Sequence, residues 1–490
     1  MINGVNLPQG QSASALFQSL LRTTANTFPA LAPGLNENGG SDKAYIGRAL
    51  IGFEALRAAS PDRVEIAESI SRLIQDGLVF DAGVPGVFRL SDYVRQPGDA
   101  LPLVTVSSQS AEGLVPRILY EGRVYEGARI RELADRFRER RTISDAAARA
   151  LEWVADQPRI DLRDQKVVLL GLGAEMSPYR VLSLGGATIL GIDLAPASES
   201  AALKAIAGGT TLYPEKGADL LTQPRDVVET IRNFAGGDAV HLGLFAYAGG
   251  KAREIRLTAA MHAIVRQLDP AIVKSVGMYV SPTSVAQSQP EDAVHSLERL
   301  ANPSRTQSLL ARTGLLKPNL RQEGDAYWVD AIVEIQKASY LLAQYEKRLF
   351  AEALGVYGLS GIQGGEKCPL TVSANVAGIT RTRSMQIPAF QAGFIGAPSV
   401  RLETYDPETT RWLSGLLYVQ GILDPHAVGA DRNPFRDENE RAASLHSVQV
   451  HGGIYSYPYA VEGAITQAVL IGLGKKWSLI PPFLRSLSGK

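Results

Sequence analysis

The feature that most constrains this 490-residue chain is a change of hydrophobic period near residue 165. From there, short apolar runs alternate with segments of helical periodicity. The apolar runs are KVVLLGL, ATILGID, GTTLYPE, AVHLGLFAY, AIVKSVGMYV, LTVSANV and SVRLETY. Alternating β and α elements predict a doubly wound α/β fold, in which helices cover both faces of a parallel sheet. Ligands of such sheets bind beyond the carboxyl ends of the strands, so functional residues are expected in the loops there.

The chain is long enough for more than one domain, and its composition divides it. Residues 1–40 are rich in Gly, Ser, Asn and Pro, which predicts a loosely ordered lead-in. Residues 41–160 mix helical patterns with short strands and predict an N-terminal α+β domain. Residues 161–490 form the predicted parallel-sheet domain, in which residues 285–335 predict a helical lid over the ligand pocket.

Composition excludes several classes of function. Fifty basic and 50 acidic residues give a net charge of +0, which argues against a general attraction to nucleic acid. The single cysteine, Cys368, excludes an internal disulfide and a thiolate metal cluster, and six scattered histidines predict no metal site. The N-terminus has no signal-peptide pattern, and no apolar run reaches the ~18 residues of a membrane helix. We therefore expect a cytoplasmic protein with no membrane span.

A glycine turn follows the first strand of the parallel sheet, in the segment KVVLLGLGAEMSPYR. Gly171 and Gly173 allow backbone N–H groups to approach a pyrophosphate, although Met176 replaces the third glycine of the dinucleotide fingerprint. Asp193 ends the second strand, where a carboxylate accepts hydrogen bonds from ribose hydroxyls and repels a 2′-phosphate. The turn residues predicted to contact a nucleotide are Gly171, Gly173, Ala174, Glu175 and Met176, followed by Asp193 and Leu194. S-adenosylmethionine and a turn kept only for packing are the alternatives at this point.

Further motifs follow in order along the chain. Asp219 ends a predicted strand, and Tyr247-Ala248-Gly249-Gly250 closes the next one. Ser281 follows the strand VKSVGMYV, and Tyr340 lies in the helix QKASYLLAQYEKRL. The last of these motifs is LTVSANVAGITRTRSM, in which Asn375, Gly378 and Thr382 keep a recognisable spacing. Over about residues 165–425, this succession resembles the short-chain dehydrogenase/reductase superfamily, which has an NAD(P)-binding Rossmann fold.

The resemblance implies roles for individual residues. Tyr340 takes the place of the catalytic acid/base, and Ser281 (or Ser284) that of the serine that orients the substrate. Gln344 stands where the family has a lysine, which lowers the tyrosine pKa. The residues that can replace it are Lys337 and Lys347 on the same helix, or Tyr247 with Lys251 at a strand end. The further positions that the resemblance assigns to the cofactor are Asp219, Leu220, Tyr247, Ala248, Gly249, Gly378, Thr380 and Thr382.

The leading hypothesis is therefore an NAD(P)-dependent oxidoreductase that acts on a carbonyl or secondary alcohol of a small molecule. Asp193 favours NAD over NADP. The predicted lid at residues 285–335, an insertion relative to the family, indicates a large or apolar substrate. The family resemblance implies a homo-oligomer, a dimer or a tetramer. The replacement of the lysine by Gln344 motivates a second hypothesis, a protein that binds NAD(P) as a sensor or scaffold without redox turnover. An S-adenosylmethionine-dependent methyltransferase is the third.

Overall fold

Short strands form four sheets in the computed structural model, which describes residues 3–35, 42–83, 86–108, 113–206, 208–333, 336–381 and 388–487. Within those ranges the strands are β1 Gly4–Asn6, β2 Val79–Asp81, β3 Val87–Arg89, β4 Leu103–Ser107, β5 Arg117–Tyr120, β6 Arg123–Glu126, β7 Lys166–Leu170, β8 Thr188–Ile192, β9 Thr210–Pro214, β10 Val240–Leu244, β11 Val273–Val280, β12 Ala286–Gln287, β13 Leu320–Glu323, β14 Ala326–Val329 and β15 Thr371–Val376.

Helices surround these sheets, and several begin at a serine whose side chain accepts a backbone N–H of the first turn, as Ser12 and Ser144 do. The helices are α1 Ala13–Thr27, α2 Ala32–Leu35, α3 Asp42–Ala59, α4 Arg63–Asp76, α5 Leu90–Val94, α6 Ala128–Glu139, α7 Asp145–Ala155, α8 Tyr179–Leu184, α9 Ala201–Lys204, α10 Pro224–Ala235, α11 Arg253–Arg266, α12 Pro290–Ala301, α13 Arg305–Arg312, α14 Lys337–Ile362, α15 Pro388–Gly396, α16 Pro407–Leu423, α17 Glu438–Ser444, α18 Val461–Lys475 and α19 Ile480–Leu487. None of the helices in the described ranges offers an apolar stretch long enough to traverse a lipid bilayer.

The largest sheet has seven strands in the order β15-β11-β10-β7-β8-β9-β4. Six of them are parallel, and β4 runs antiparallel to its neighbour β9. When the six parallel strands are numbered along the chain, their order across the sheet is 3-2-1-4-5-6. The predicted α/β class is thus confirmed as a mostly parallel sheet flanked by helices.

Side chains of the central strands alternate between two hydrophobic clusters. In β7, Val167 and Leu169 belong to one cluster, and Val168 and Leu170 belong to the other. Helices α7, α8 and α16 contribute to the cluster of Val167, whereas α10, α11 and α14 contribute to that of Val168. Both faces of the sheet are therefore covered, which explains why its strands are continuous apolar runs.

The segment before residue 165 is joined to this sheet more closely than the predicted division implies. Residues 1–40 were expected to form a loosely ordered lead-in, yet they contain β1 and the 15-residue helix α1. Phe17 and Leu20 of α1 are buried in the same cluster as the sheet, because apolar residues of ALFQSLL fall on one face of the helix. Strand β4, from the predicted N-terminal domain, extends the sheet by pairing with β9.

The insertion at residues 285–335 is mixed rather than helical. It contains α12 and α13, but also the antiparallel pair β13 and β14, with β12 on the other side of β14. Glu323 pairs with Ala326, so Gly324 and Asp325 form a two-residue hairpin loop, in which Gly324 has φ +57°. The predicted strand SVRLETY is absent from the sheets: residues 397–400 form a 3-10 helix, and Tyr405 makes one isolated bridge to Thr380.

Candidate functional site

The carboxyl ends of β7 and β10 mark the point where the connections change from one face of the sheet to the other. Helix α8, which follows β7, packs on the face of Val167. Helix α11, which follows β10, packs on the opposite face. Loops that leave neighbouring strands in opposite directions open a crevice, and open α/β sheets bind their ligands in such crevices. Most of the predicted site residues lie in the loops around it.

The glycine turn after β7 is fixed by close backbone packing. Gly171 has φ +95°, and a Cβ atom there would lie 2.4 Å from the backbone nitrogen of Ala246, just beyond β10. Only glycine combines this backbone conformation with that approach. Gly173 is exposed at the crevice, Ala174 and Met176 are partly buried, and Glu175 is exposed. Helix α8 begins only at Tyr179 and has six residues. Within the turn, the N–H groups of residues 171–174 donate to the carbonyl oxygens of Ile192 and Gly171 and to the Asp193 carboxylate, which fixes the turn against the end of β8.

Asp193 lies directly against this turn. Its Oδ2 atom accepts the N–H of Gly173 at 2.5 Å, and its Oδ1 atom accepts the N–H of Leu194 at 2.7 Å. The carboxylate is held at the end of β8 by two backbone donors, and the lone pairs that remain on its oxygens can accept further hydrogen bonds. The Leu194 side chain is 65% exposed beside it.

Asp219 and Leu220 form the next part of the same edge. The backbone N–H of Ala218 donates to the carbonyl oxygen of Asp193 at 2.7 Å, which brings the two acidic residues into adjacent loops. The Asp219 carboxylate accepts the N–H of Leu221 at 2.8 Å and so closes a local turn, whereas Leu220 is buried. Asp219 is partly exposed, but its first role is to shape the loop.

Met176, at the position of the missing third glycine, packs against the end of β15. Its Sδ atom lies 3.5 Å from the hydroxyl of Thr380, which is 2.8 Å from the hydroxyl of Thr410 in α16. Gly378 is buried, and a Cβ atom there would lie 2.6 Å from the ring of Tyr405. Thr380 and Gly378 therefore connect the glycine turn to β15. The predicted cofactor residue Thr382 lies outside the described residues.

Tyr340, Ser281 and Gln344 come together at the ends of β11 and the start of α14. The hydroxyls of Ser281 and Thr283 lie beside the Tyr340 phenol and act to lower its pKa. Gln344 Oε1 accepts the backbone N–H of Ser281 at 2.7 Å, and the two hydroxyls of Ser281 and Thr283 are 2.8 Å apart. Gln344 thus positions the serine loop against the helix. Ser284 is buried and donates its hydroxyl to the Ser281 carbonyl oxygen at 3.1 Å.

A second tyrosine, Tyr247, lies next to Tyr340. The ring of Tyr247 meets that of Tyr340 edge to face, with 6.3 Å between centroids, and the Tyr247 side chain is 60% exposed. Ala248 and Gly249 continue this loop; Gly249 lies close enough to Tyr247 that an added Cβ would be 3.8 Å from its hydroxyl. The two phenols therefore face one opening at the ends of β10 and β11.

The charge beside the tyrosines is negative. Glu254, in the first turn of α11, accepts the N–H of Gly250 at 3.1 Å and the hydroxyl of Ser339 at 2.8 Å. Burial, with Glu254 acting in the same direction, raises the pKa of Tyr340. Burial, together with Tyr340 and Glu254, raises the pKa of Tyr247 to about 12. Both hydroxyls are protonated at neutral pH.

The lysines considered as replacements are directed elsewhere. Lys337 and Lys251 are exposed and have φ values of +63° and +51°, and in the described chain no hydrogen bond or ion pair joins them to either tyrosine. Lys347 is buried and donates to the carbonyl oxygen of Tyr279 at 3.2 Å. Burial lowers its pKa to about 8. In contrast to the expectation for Lys337, the helix start turns that side chain outwards.

Glu254 and Thr283 were not predicted as site residues. Both had a positional signal, since Glu254 opens the helix that follows β10, and Thr283 stands two residues after Ser281. No group of three or more His, Cys, Asp or Glu side chains within the described ranges is arranged to hold a metal ion. No family model, curated protein or solved structure matches the chain.

Proposed function

We propose that the chain is a Rossmann-type dinucleotide-binding protein, a divergent relative of the short-chain dehydrogenases/reductases, that reduces a carbonyl compound with NADH. The observation that carries the proposal is the position of Asp193, held 2.5 Å from the Gly173 N–H beside the crevice of a 3-2-1-4-5-6 sheet. Dinucleotides bind at this point of such sheets, with an acidic residue on the ribose.

The residues around the crevice fit NAD. The exposed backbone of Gly173 leaves room for a pyrophosphate, and Asp193 retains lone pairs for two ribose hydroxyls. Its negative charge disfavours the 2′-phosphate of NADP. The sheets of S-adenosylmethionine-dependent methyltransferases usually end in an antiparallel hairpin. Here the edge strand β15 pairs parallel with β11, which disfavours the methyltransferase alternative.

In this proposal the cofactor, when bound, supplies the hydride that reduces the carbonyl carbon. Tyr340 donates its proton to the carbonyl oxygen as negative charge develops there, and Ser281 holds that oxygen by a second hydrogen bond. A phenol is a strong enough acid to protonate an alkoxide, but a raised pKa makes it a poor base at neutral pH. The site therefore favours carbonyl reduction over alcohol oxidation.

The electrostatics favour a second candidate as well, a protein that binds NAD without redox turnover. The specific observation is Glu254, a carboxylate beside Tyr247 and Tyr340 where the family has a cation. Without a positive charge the tyrosinate formed by proton transfer is less stable, and turnover is slower. This candidate shares the NAD site and differs only in the chemical step.

Two measurements separate the candidates. Titration calorimetry with NADH, NADPH and S-adenosylmethionine identifies the ligand, and NADH binding is expected to be the tightest. Loss of absorbance at 340 nm with a panel of aldehydes and ketones then reports turnover. Tight NADH binding with no turnover on any member supports the second candidate. Binding of S-adenosylmethionine alone refutes both.

The Tyr340→Phe variant tests the proton donor. General acid catalysis contributes about 10²–10⁴-fold, so the variant is expected to lose turnover by about that factor while NADH affinity is unchanged. Tyr357→Phe, a tyrosine near the other end of α14, is the matched control and is expected to keep both properties. Full turnover by Tyr340→Phe would contradict the assignment.

A further inference from the structure

Helix α15 has no polar face, yet most of its residues are only partly covered. Its sequence, PAFQAGFIG, has no charged residue, and of its nine residues only Ala392 and Gly396 are buried. A helix that is apolar all round is normally enclosed on every side by the rest of a protein. The described part of the chain does not provide that enclosure for α15.

Helix α18 covers one side of α15 through small residues. A Cβ atom on Gly396 would lie 1.8 Å from the carbonyl oxygen of Ala468, and one on Gly472 would lie 1.8 Å from that of Ala392. Helices that approach so closely have no room for large side chains between them, as is also found for helix pairs in membranes. The large apolar side chains of α15 and α18 must therefore lie around this contact and not within it.

Large apolar side chains are exposed on this helix pair and in the segment that follows it. Phe390 and Phe394 of α15 are partly exposed, and Leu470 of α18 is exposed. Leu484 of α19 is also exposed, and Trp477 in the short 3-10 helix before α19 is 74% exposed, the highest value of any large apolar side chain in the described ranges. None of the five belongs to a hydrophobic cluster of the described residues. Exposed apolar side chains grouped in this way mark a surface that contacts another molecule or a membrane.

The same segment is basic. Lys475, Lys476 and Arg485 are exposed, and residues 463–490 contain no Asp or Glu. Lys475 donates to the hydroxyl of Ser399 at 2.8 Å, so its charge lies next to the turn that follows α15. The chain as a whole has a net charge of +0, so this positive charge is a local feature. Its counterpart must offer negative charge beside apolar material.

We propose that α15, α18 and α19 attach the protein to the surface of an anionic lipid bilayer, with Trp477 at the level of the headgroups. Tryptophan is enriched at that depth because its ring is apolar and its N–H is polar. Each basic residue near an anionic bilayer raises the affinity about fivefold. Helix α18 has 15 residues and is about 22 Å long, less than the ~30 Å of a bilayer core, so the attachment is to one leaflet. It does not depend on the proposed NADH chemistry.

Co-flotation of the full chain with lipid vesicles tests the proposal. One set of vesicles is phosphatidylcholine alone, and the other contains an equal part of phosphatidylglycerol. Three basic residues predict binding about 100-fold tighter to the second set, and the difference should shrink at high salt because the charges are exposed. Absence of binding to the anionic vesicles, or equal binding to both sets, would overturn the proposal.

A double variant tests the contribution of charge. Lys475→Gln with Lys476→Gln is expected to weaken binding to the anionic vesicles about 30-fold. Arg149→Gln with Lys204→Gln removes the same charge from exposed positions of α7 and α9, and this matched control is expected to bind as the wild type does. Equal affinities of the two double variants would contradict the assignment to this surface.

Trp477 provides a spectroscopic measurement at the surface itself. Of the four tryptophans, Trp328 and Trp412 are buried and Trp153 is partly buried, so a change of emission on lipid contact should come from Trp477. Anionic vesicles are expected to shift the emission to shorter wavelength. Trp477→Phe should still bind and should lose the shift. Vesicle binding by the wild type without any shift would mean that another surface contacts the lipid, and would refute the proposal.

A second copy of the chain is the other occupant that this surface could have. Sedimentation velocity without lipid is expected to give the same association state for the wild type and for Trp477→Gln. If Trp477→Gln instead dissociates an oligomer, and the wild type does not bind vesicles, the surface is a contact between copies and the membrane proposal is wrong.

Discussion

Replacing Asp193 by Asn is the most informative perturbation of the proposed nucleotide site, because it removes a charge and keeps the side-chain shape. In the structure the carboxylate accepts two backbone N–H groups, from Gly173 and Leu194, at 2.5 and 2.7 Å. Asn can still accept through one oxygen, so the turn is expected to keep its conformation. The loss of stability should be about 1.5–3 kcal/mol, the contribution of one hydrogen bond to a charged group.

The effect on binding is expected to be larger and specific to the cofactor. A hydrogen bond from a ribose hydroxyl to a charged acceptor contributes about 1.5–3 kcal/mol, so the Kd for NADH should rise by about 10–150-fold. For NADPH the change has the opposite sign. Two like charges about 4 Å apart at an effective dielectric constant of 20 repel by roughly 4 kcal/mol, and Asp193→Asn removes that repulsion. The preference for NADH should therefore collapse or reverse.

Titration calorimetry gives both Kd values directly, and a Tm measurement verifies that the variant is folded. Asp164→Asn is the matched control: its exposed carboxylate precedes β7, at the opposite edge of the sheet, and should leave both affinities unchanged. If a folded Asp193→Asn binds NADH and NADPH with the wild-type ratio of affinities, the ribose assignment of Asp193 is refuted.

Three further predictions concern the turn, the core and the tyrosines. Gly171→Ala places a Cβ 2.4 Å from the nitrogen of Ala246 at φ +95°, so urea unfolding should show a loss above about 2 kcal/mol; wild-type stability would contradict this packing. Burial raises the pKa of Glu346 to about 8, so the folded state holds a proton that the unfolded chain releases above about pH 4.5. The free energy of unfolding should therefore fall by up to about 5 kcal/mol from pH 4.5 to 8, and Glu346→Gln should remove this decrease. If the variant keeps the pH dependence of the wild type, the raised pKa of Glu346 is refuted. Glu254→Gln should lower the pKa of Tyr247 from about 12, as read by tyrosinate absorbance against Tyr247→Phe, whereas an unshifted titration would exclude Glu254 as a cause.

The order of elements after residue 165 could be predicted because it depends on local periodicity. Each parallel strand is buried on both faces, and its apolar run is visible in the sequence, as in KVVLL of β7. The end of α8 at Leu184 follows from the two glycines after it. The proximity of Ser281 to Tyr340 follows from their positions at the same edge of one sheet, once the strand order is that of the resembling family.

Strand β4 shows what periodicity cannot predict. The run LVTVS has the pattern of a strand, but the pattern identifies only which face is buried. Its partner β9 lies about 100 residues later in the chain, and the pattern of neither strand identifies the other as its partner. The hairpin of β13 and β14 had a local signal, the Gly324-Asp325 loop between alternating residues, which indicates a two-residue turn.

The proposed site has a nucleotide half at the glycine turn and an acid/base half at Tyr340, and only the first could be predicted from local sequence. The nucleotide half is the glycine turn after β7, which consists largely of backbone groups. A glycine such as Gly171 is visible in the sequence and indicates that another part of the chain approaches its backbone closely. The acid/base half depends on side-chain direction and on charge. Lys337 lies three residues before Tyr340, yet its φ of +63° places it at an exposed helix start, while Glu254 comes from another helix altogether. Sequence spacing alone therefore does not identify a lysine that could replace the one expected at Gln344 in α14. A protonated Tyr340 can donate a proton, but the neighbouring Glu254 carboxylate destabilises the tyrosinate that results, so the charge at this point separates the two candidate functions.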